Sequence, residues 1–369
     1  MSEAEFFGGV YRQRRVLVTG HTGFKGSWLS RWLLDLGAEV TGYALQPDTS
    51  PSLFEQLGLD RAMDSHIGDV RDFDGLKSLV AKSSPEIIFH LAAQPLVRRS
   101  YTETRYTFET NVMGAVNLFE AVRELRDCRV VVNVTTDKVY ENPETGVPFD
   151  EKHALGGHDP YSASKAAAEM VTASYRDSFF SGDGSPAVAT ARAGNVIGGG
   201  DWAEDRLIPD CVRALFAAQS IIVRNPKSVR PWQHVLEPLA AYLHLAATLV
   251  SEPALAGPYN FGPEVDATRT VEDVVERFID QWGTGSWHQP PLCNQPHEAA
   301  NLTLDIRKAE EKLGWSPLWD FEETVARTAS WYRAQGSGAD VTALVRGDIE
   351  AYVAAAISAR APWISGRAT

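Results

Sequence analysis

The stretch RRVLVTGHTGFKG, residues 14–26, contains the pattern that decides the fold. Its Val- and Leu-rich run predicts a buried strand, the glycines predict a sharp turn, and residues 26–37 predict a helix. Glycine lets the backbone of such a turn approach a phosphate closely, and the first helical turn offers unpaired N–H groups. We therefore expect a turn that binds the pyrophosphate of a dinucleotide. Its predicted contact residues are Gly20, Thr22, Gly23, Phe24, Lys25 and Gly26.

Apolar strand-like runs alternate with helical patterns through the first half of the chain. This alternation predicts an α/β fold built on a doubly wound parallel sheet, the Rossmann architecture. Further strands are predicted near 39–45, 65–70, 86–93, 130–136 and 188–196, and further helices near 72–82, 107–125 and 160–180.

The rhythm changes beyond Gly198, where loops rich in Gly and Pro separate shorter elements. We expect a dinucleotide-binding domain over residues 1–197, which also receives segments near 230–262. Residues 198–369 should form mainly a smaller, mixed α/β substrate domain. A substrate pocket is expected between the two domains.

Composition excludes several classes of function. The chain has 369 residues and a formal net charge of −13, which argues against binding to nucleic acid or to an anionic membrane. Its three cysteines are too few and too scattered for a disulfide framework or a zinc cluster, so no metal site is predicted. Because the N-terminus does not have the pattern of a signal peptide and no apolar run is long enough to span a bilayer, we expect a cytoplasmic protein.

Tyr161 and Lys165 are the first candidates for catalysis. They are four residues apart on the predicted helix that begins at Asp159-Pro160, and therefore share one face. A lysine ammonium one turn away lowers the pKa of a phenol, so the tyrosinate could accept a proton from an alcohol while hydride leaves the carbon. Thr136, at the end of the preceding strand, is expected to support this pair.

These features resemble the extended short-chain dehydrogenase/reductase family. The glycine spacing Gly-x-x-Gly-x-x-Gly, the string HLAA at residues 90–93, and the Tyr-x-x-x-Lys pair about 135 residues after the glycine turn are typical of it. The resemblance implies that Tyr161 and Lys165 also contact the cofactor. It further implies adenosine contacts from the residues Asp69, Val70, Leu91, Ala92 and Ala93.

The end of the second strand bears on the choice of cofactor. In this fold an acid there usually binds the ribose 2′-OH, whereas here the sequence reads Gly-Tyr-Ala-Leu with no acid before Asp48. Since no Arg stands nearby to accept a 2′-phosphate, we expect NAD rather than NADP. Lys25 leaves NADP open as the alternative.

The segment Thr135-Thr136-Asp137-Lys138 distinguishes this chain within the family. In nucleotide-sugar 4,6-dehydratases this segment resembles Thr-Asp-Glu, and its acids eliminate water; here Asp137 is kept and Lys138 replaces the Glu. By this resemblance Asp137 protonates the leaving hydroxyl and Lys138 is a candidate base. The chain resembles the CDP-glucose 4,6-dehydratase branch of the family in the strings GHTGFKGSW (20–28), AQPLVR (93–98), GNVIGGGDW (194–202), RPWQHVLEPL (230–239) and PHEA (296–299).

A sugar nucleotide carries two phosphates, so cationic groups should gather near them. By resemblance Asn195 and Arg230 match phosphate-contacting positions of the family. Arg206 is a further candidate, and His297 could replace an Arg that relatives carry shortly before Asp305.

Rival functions and the oligomeric state also follow from the resemblance. Alternatives are a 4,6-dehydratase of another nucleotide sugar, a nucleotide-sugar epimerase or reductase in which Asp137 only caps a turn, and a binding protein that lost its chemistry. Extended relatives pair two helices into a four-helix bundle, which predicts a homodimer through helices 107–125 and 160–180. The expected contacts are Phe108, Met113, Leu118, Tyr175, Phe179 and Phe180.

Overall fold

The computed structural model describes residues 3–264, 267–291 and 302–364. Its strands, in chain order, are β1 Arg15–Thr19, β2 Glu39–Ala44, β3 Asp64–Ile67, β4 Ile87–His90, β5 Val130–Val134, β6 Ala187–Ala193, β7 Val196–Ile197, β8 Ile221–Ile222, β9 Val229–Arg230, β10 Gln233–His234, β11 Pro258–Phe261, β12 Arg269–Thr270 and β13 Trp287–His288.

The helices cover the sheet and build most of the second half of the chain. They are α1 Phe24–Asp35, α2 Leu53–Gln56, α3 Leu59–Ala62, α4 Phe73–Ser83, α5 Val97–Thr102, α6 Thr104–Phe108, α7 Gly114–Val122, α8 Pro160–Phe179, α9 Leu207–Phe216, α10 Leu236–Ser251, α11 Val271–Trp282, α12 Arg307–Leu313, α13 Phe321–Gly336 and α14 Val341–Ala359. Short 3-10 turns occupy Asp137–Val139 and Pro253–Leu255, and a kinked 3-10 segment occupies Glu3–Gly9.

A parallel sheet of seven strands forms the centre of the molecule, in the order β11-β6-β5-β4-β1-β2-β3. Strands β4, β5 and β6 are buried at every position, because helices cover both faces of the sheet. The chain builds outward from β1 to β3 and then returns to β4 beside β1, so the strand order reverses there. Ligands of doubly wound sheets bind at the carboxyl ends of the strands at such a reversal. The predicted α/β, doubly wound fold is confirmed.

The second half of the chain completes the sheet. Strand β11 pairs with β6, from Pro258 opposite Thr190 to Phe261 opposite Ala193. Helix α10 packs beside β5 and β6, and its residues from Leu236 to Leu249 are all buried. Two-stranded sheets join β7 to β10, β8 to β13 and β9 to β12. The division of the chain at residue 197 stays a prediction.

The helix expected over 107–125 is interrupted. Residues Glu109–Met113 form a π-helical turn between α6 and α7. Within it, Asn111 donates to Ser164 Oγ at 2.9 Å and accepts from Gln94 N at 2.8 Å. These bonds tie the turn to α8 and to the segment after β4. Among the residues that the structure describes, no helix is long and apolar enough to cross a membrane.

Candidate active site

A cavity of about 650 Å³ opens at the carboxyl ends of the strands. Every predicted site residue within the described part of the chain lines it, whereas His297 lies outside the described residues. These lining residues are Gly20, Thr22, Gly23, Phe24, Lys25, Gly26, Asp69, Val70, Leu91, Ala92, Ala93, Thr136, Asp137, Lys138, Tyr161, Lys165, Asn195, Arg206 and Arg230.

The glycine turn is shaped by close backbone contacts. Gly20 has φ +76°, and a Cβ there would lie 2.8 Å from Ala92 N. A Cβ on Gly26 would lie 2.1 Å from Gly20 O, so only glycine allows α1 to start this close to β1. Gly23 caps α1 without a side-chain bond to the first turn and lines the cavity, and a Cβ there would lie 3.4 Å from Gly20 O. The N–H groups and dipole of α1 therefore fit a pyrophosphate.

The part of the cavity predicted to hold the adenosine lies at β2 and β3. The Asp69 carboxylate makes a bidentate ion pair with Arg71, with Nη2–Oδ2 at 2.6 Å, and this pair lowers the pKa of Asp69 against the opposing effect of burial. Residues 39–49 contain no Lys or Arg. A 2′-phosphate would therefore meet no cation from the end of β2.

Tyr161 and Lys165 lie on the face of α8 that packs against the end of β5. Asp159 caps the helix, accepting from Ser162 N at 2.9 Å, and Pro160 occupies its first turn. Thr136 lies close enough to the Tyr161 hydroxyl to lower the pKa of the phenol, and Lys165 Nζ donates to Val134 O at 3.0 Å. The helix therefore places both side chains at the end of β5, as the sequence predicted.

The pKa of Tyr161 departs from the sequence expectation. Burial raises it to about 12, and the hydrogen bond to Thr136 and the charge of Arg206 only partly oppose that rise. Burial also lowers the pKa of Lys165 to about 8. The charge of Lys165 alone predicts a lowered phenol pKa, whereas desolvation of the phenol is the largest effect in the protein alone.

Asp137 is almost completely buried at the start of the turn after β5. Its Oδ1 accepts from Thr136 Oγ1 at 2.9 Å, and its Oδ2 has no hydrogen-bond partner within the described residues. A Cβ on Gly194 would lie 2.5 Å from Oδ2, so glycine there leaves room for the carboxylate. The cap of this turn is Thr136, whose side chain accepts from Lys138 N. Asp137 therefore does not cap the turn.

Cations surround this carboxylate. Lys138 Nζ lies 3.9 Å from Asp137 Oδ1. Lys25 projects from the glycine turn toward the same region, with its Nζ 5.9 Å from the centre of the Tyr242 ring. Burial, followed by the charges of Arg206 and Lys165, lowers the pKa of Lys25 to about 7. The structure thus places Lys25 at the catalytic end of the cavity rather than at the adenosine ribose.

The arginines of the substrate side include two that the sequence argument missed. Arg206 forms an ion pair with Asp201 at 3.1 Å, and Arg230 is buried on β9. Arg98 and Arg224 also line the cavity, and both pair with Asp205, which lies 3.6 Å from Arg98 and 2.9 Å from Arg224. Arg98 belongs to the string AQPLVR, which was the one signal that could have identified it. No motif marked Arg224.

Comparisons with known proteins agree with this geometry. The family model described as GDP-mannose 4,6 dehydratase matches residues 17–328. A CDP-glucose 4,6-dehydratase of Salmonella typhimurium is 48% identical over 94% of this chain and 98% of its own length. A dTDP-glucose 4,6-dehydratase of Streptomyces antibioticus is 29% identical over 86% of this chain and 92% of its own length.

Solved structures share the fold. A dTDP-glucose 4,6-dehydratase from Streptomyces venezuelae, with NAD and TYD bound, superposes with a TM-score of 0.75 at 25% identity, covering 87% of this chain and 98% of that one. A UDP-glucose 4-epimerase from Stenotrophomonas maltophila reaches 0.77 at 21% identity, covering 89% and 100%. The predicted family is confirmed: the chain belongs to the nucleotide-sugar 4,6-dehydratase family, within the epimerases and dehydratases of the extended short-chain dehydrogenase/reductase type.

Proposed function

We propose that this chain catalyses the NAD-dependent 4,6-dehydration of CDP-glucose to CDP-4-keto-6-deoxyglucose. The observation that carries the proposal is the buried Asp137 carboxylate at the end of β5, whose Oδ1 accepts from Thr136 Oγ1 at 2.9 Å in the same cavity as Tyr161. A plain oxidoreductase needs only the tyrosine and its supporting hydroxyl, whereas eliminating water also needs an acid. Asp137 offers a buried carboxyl oxygen that no other side chain among the described residues engages.

The cofactor supported by the site is NAD. When bound, NAD would supply the hydride acceptor for the oxidation at C4 and the hydride donor for the reduction at C6. Gly23 and the first turn of α1 would hold its pyrophosphate, and Asp69 and Val70 would flank the adenosine. The absence of Lys and Arg from residues 39–49, together with the position of Lys25 near Lys165, favours NAD over NADP.

Oxidation at C4 begins at Tyr161. The tyrosinate takes the proton of the 4-OH while the C4–H bond gives up its hydride, and a 4-ketone results. The charge of Arg206 lowers the pKa of the phenol. Lys165, one helical turn away, and the positive charge of the cofactor would favour the ionised phenol in the same way. The Thr136 hydroxyl keeps the phenol oxygen in place.

Elimination and reduction complete the cycle. The ketone acidifies C5–H, and a base removes that proton while Asp137 protonates the leaving 6-OH, which departs as water. Hydride then adds to C6 and the base returns a proton to C5, so the dehydration is redox-neutral. Lys138 is our candidate for the base, because its amine lies beside Asp137 and lines the cavity.

The nucleotide diphosphate is assigned to the arginine side of the cavity. Asn195, Arg206 and Arg230 are the proposed contacts, and Arg98 and Arg224 add positive charge at the same wall. The choice of CDP over another nucleotide is supported by the similarity to the Salmonella enzyme. The rival reading of a dehydratase for another nucleotide sugar differs only in this choice.

One incubation tests the function. The purified protein, supplied with NAD, is mixed separately with CDP-, dTDP-, UDP- and GDP-glucose, and the molecular masses of the products are measured by mass spectrometry. We expect loss of one water molecule from CDP-glucose. Loss of water from a different nucleotide sugar alone would reassign the substrate. An unchanged mass with an altered sugar configuration would identify an epimerase, and no change with any substrate would favour a binding protein.

We also propose a homodimer through helices α6–α7 and α8. Phe108, Met113, Met170 and Phe179 are exposed on these helices, and Met170 is 64% exposed. Two expected contacts were wrong, because Leu118 and Phe180 are buried in the core. A cytoplasmic location likewise stays a prediction, which fractionation of the producing cells would test.

A further inference from the structure

A buried carboxylate continues the catalytic face of α8. Tyr161, Lys165 and Glu169 follow one another at intervals of four residues, so they lie in a row along the helix. Glu169 is only 3% exposed. The proposed chemistry of the site uses the first two members of the row and leaves the third without a role.

Glu169 binds the strands behind the cavity. Its Oε1 accepts from Thr135 Oγ1, which neighbours the catalytic Thr136. Its Oε2 accepts from Thr190 Oγ1 at 2.7 Å and from Arg192 Nη2 at 2.8 Å, both on β6. The end of β5 is therefore held from two successive turns of α8, by Lys165 at Val134 and by Glu169 at Thr135.

We propose that Glu169 is a positioning residue for the dehydratase reaction: it fixes the end of β5 against α8 and keeps Lys165 in its charged form. This inference rests on the proposed function of the site. A purely structural pair between Glu169 and Arg192 would account for the first effect only. Only a carboxylate near the lysine accounts for the second.

The charged groups around Lys165 determine the pH at which its amine loses a proton. Burial lowers the pKa of Lys165, and Glu169 is the group that raises it. His90 on β4, whose pKa burial lowers to about 3, is neutral in the working range. Lys25 from α1 adds positive charge, and Tyr161 adds negative charge once it ionises. Without the Glu169 charge, Lys165 should lose its proton at a lower pH.

The test replaces the pair so that no buried charge is left alone. Glu169→Gln combined with Arg192→Met removes both charges and keeps similar volumes. The pH dependence of nicotinamide reduction is measured after mixing the NAD-loaded protein with CDP-glucose. We expect the alkaline limb of this profile to move down by about one pH unit, since an opposite charge shifts a pKa by that order. Glu169→Asp, which keeps the charge, should leave the limb near its original position.

The matched control lies one turn further along α8. Thr172 accepts from Asn133 Nδ2 at 2.8 Å, which is a similar buried tie between α8 and β5 without a charge. Thr172→Val should destabilise the fold and leave the pH profile unchanged. The inference is overturned if the double variant keeps the wild-type profile, or if Thr172→Val shifts the limb equally, because loosening of the helix would then be the cause.

A second measurement separates this inference from the proposed function. Competitive labelling of Lys165 with acetic anhydride, followed by mass spectrometry, reports the protonation of that amine without turnover. We expect the double variant to become labelled at lower pH than the wild type. If the wild type fails to dehydrate any nucleotide sugar, the proposed function falls and this labelling still decides the role of Glu169. Identical labelling in both proteins would overturn it.

Discussion

At the scale of single residues, burial and the proposed catalytic role favour opposite protonation states of Tyr161. Burial raises its pKa to about 12, yet the reaction needs its ionised form. We expect Tyr161→Phe to lower turnover by about 10²–10⁴-fold, the usual contribution of a positioned acid or base, while NAD affinity and thermal stability change little. Steady-state kinetics and equilibrium binding of NAD measure the two effects. A loss of turnover below about tenfold would remove Tyr161 from the role of base.

In the proposed mechanism the carboxyl group of Asp137 acts at a later step than Tyr161. Asp137→Asn keeps the shape of the side chain and removes the acid, so C4 oxidation should proceed and the loss of water should stall. Adding CDP-glucose should therefore convert the bound NAD to its reduced form, which accumulates and is visible by its ultraviolet absorbance. The wild-type protein, in which hydride returns to C6, is the control. Normal dehydration by the variant would assign the acid to Lys138 or to a bound water molecule.

The position of a candidate site residue in the fold was predictable where a sequence motif fixes both its spacing and the elements around it. The Tyr–Lys pair and Asp137 sit on a regular helix and at the end of a strand, so their positions follow from the secondary structure. Arg98 and Arg224 are brought together only by the tertiary fold, through Asp205. The two arginines lie far apart in the sequence, so no helical or strand periodicity links them. The raised pKa of Tyr161 could not be predicted from the sequence either. Its main cause is desolvation, which depends on how deeply the phenol is buried in the folded protein.

At the scale of elements, the turn from β1 into α1 separates glycines needed for folding from those needed for binding. Gly26→Ala places a Cβ 2.1 Å from Gly20 O and should cost about 1–3 kcal/mol of folding free energy. Gly23→Ala meets only Gly20 O at 3.4 Å and should fold normally, but weaken NAD binding by about tenfold, or 1.4 kcal/mol. Thermal unfolding and NAD titration of both variants measure this contrast. Equal destabilisation by the two substitutions would contradict it.

The elements with strong periodicity were predicted within a few residues. Helix α8 was expected over 160–180 and spans Pro160–Phe179, because Asp159 and Pro160 mark its start. The π-helical turn at Glu109–Met113 was not predicted. Its cause is tertiary, since Asn111 reaches Gln94 and Ser164 from within the helix. Hydrophobic spacing in a single helix does not reveal such partners.

At the scale of the whole molecule, the cavity depends on both halves of the chain. Residues from the glycine turn, the end of β5, α8 and the Arg-bearing segments after residue 198 share one lining. The order of the strands explains this arrangement, because β11 returns the second half of the chain to the sheet beside β6. The sequence predicted a pocket between two regions, and the motifs supplied its residues. It did not predict how Asp201 and Asp205 pair with the arginines of that wall.

The proposed dimer interface contains two exposed methionines. Met113, in the π-helical turn between α6 and α7, is 48% exposed, and Met170 on α8 is 64% exposed. Burying both in a partner would therefore remove apolar surface from water. We expect the wild type to sediment as a dimer at micromolar concentration. Met113→Glu with Met170→Glu should sediment as a folded monomer, because two carboxylates per protomer would have to be desolvated at the interface. Ile357→Glu, at a similarly exposed position on α14, is the control and should leave the dimer intact. A wild type that sediments strictly as a monomer would exclude the bundle. Dissociation by the control variant alone would move the interface to α14.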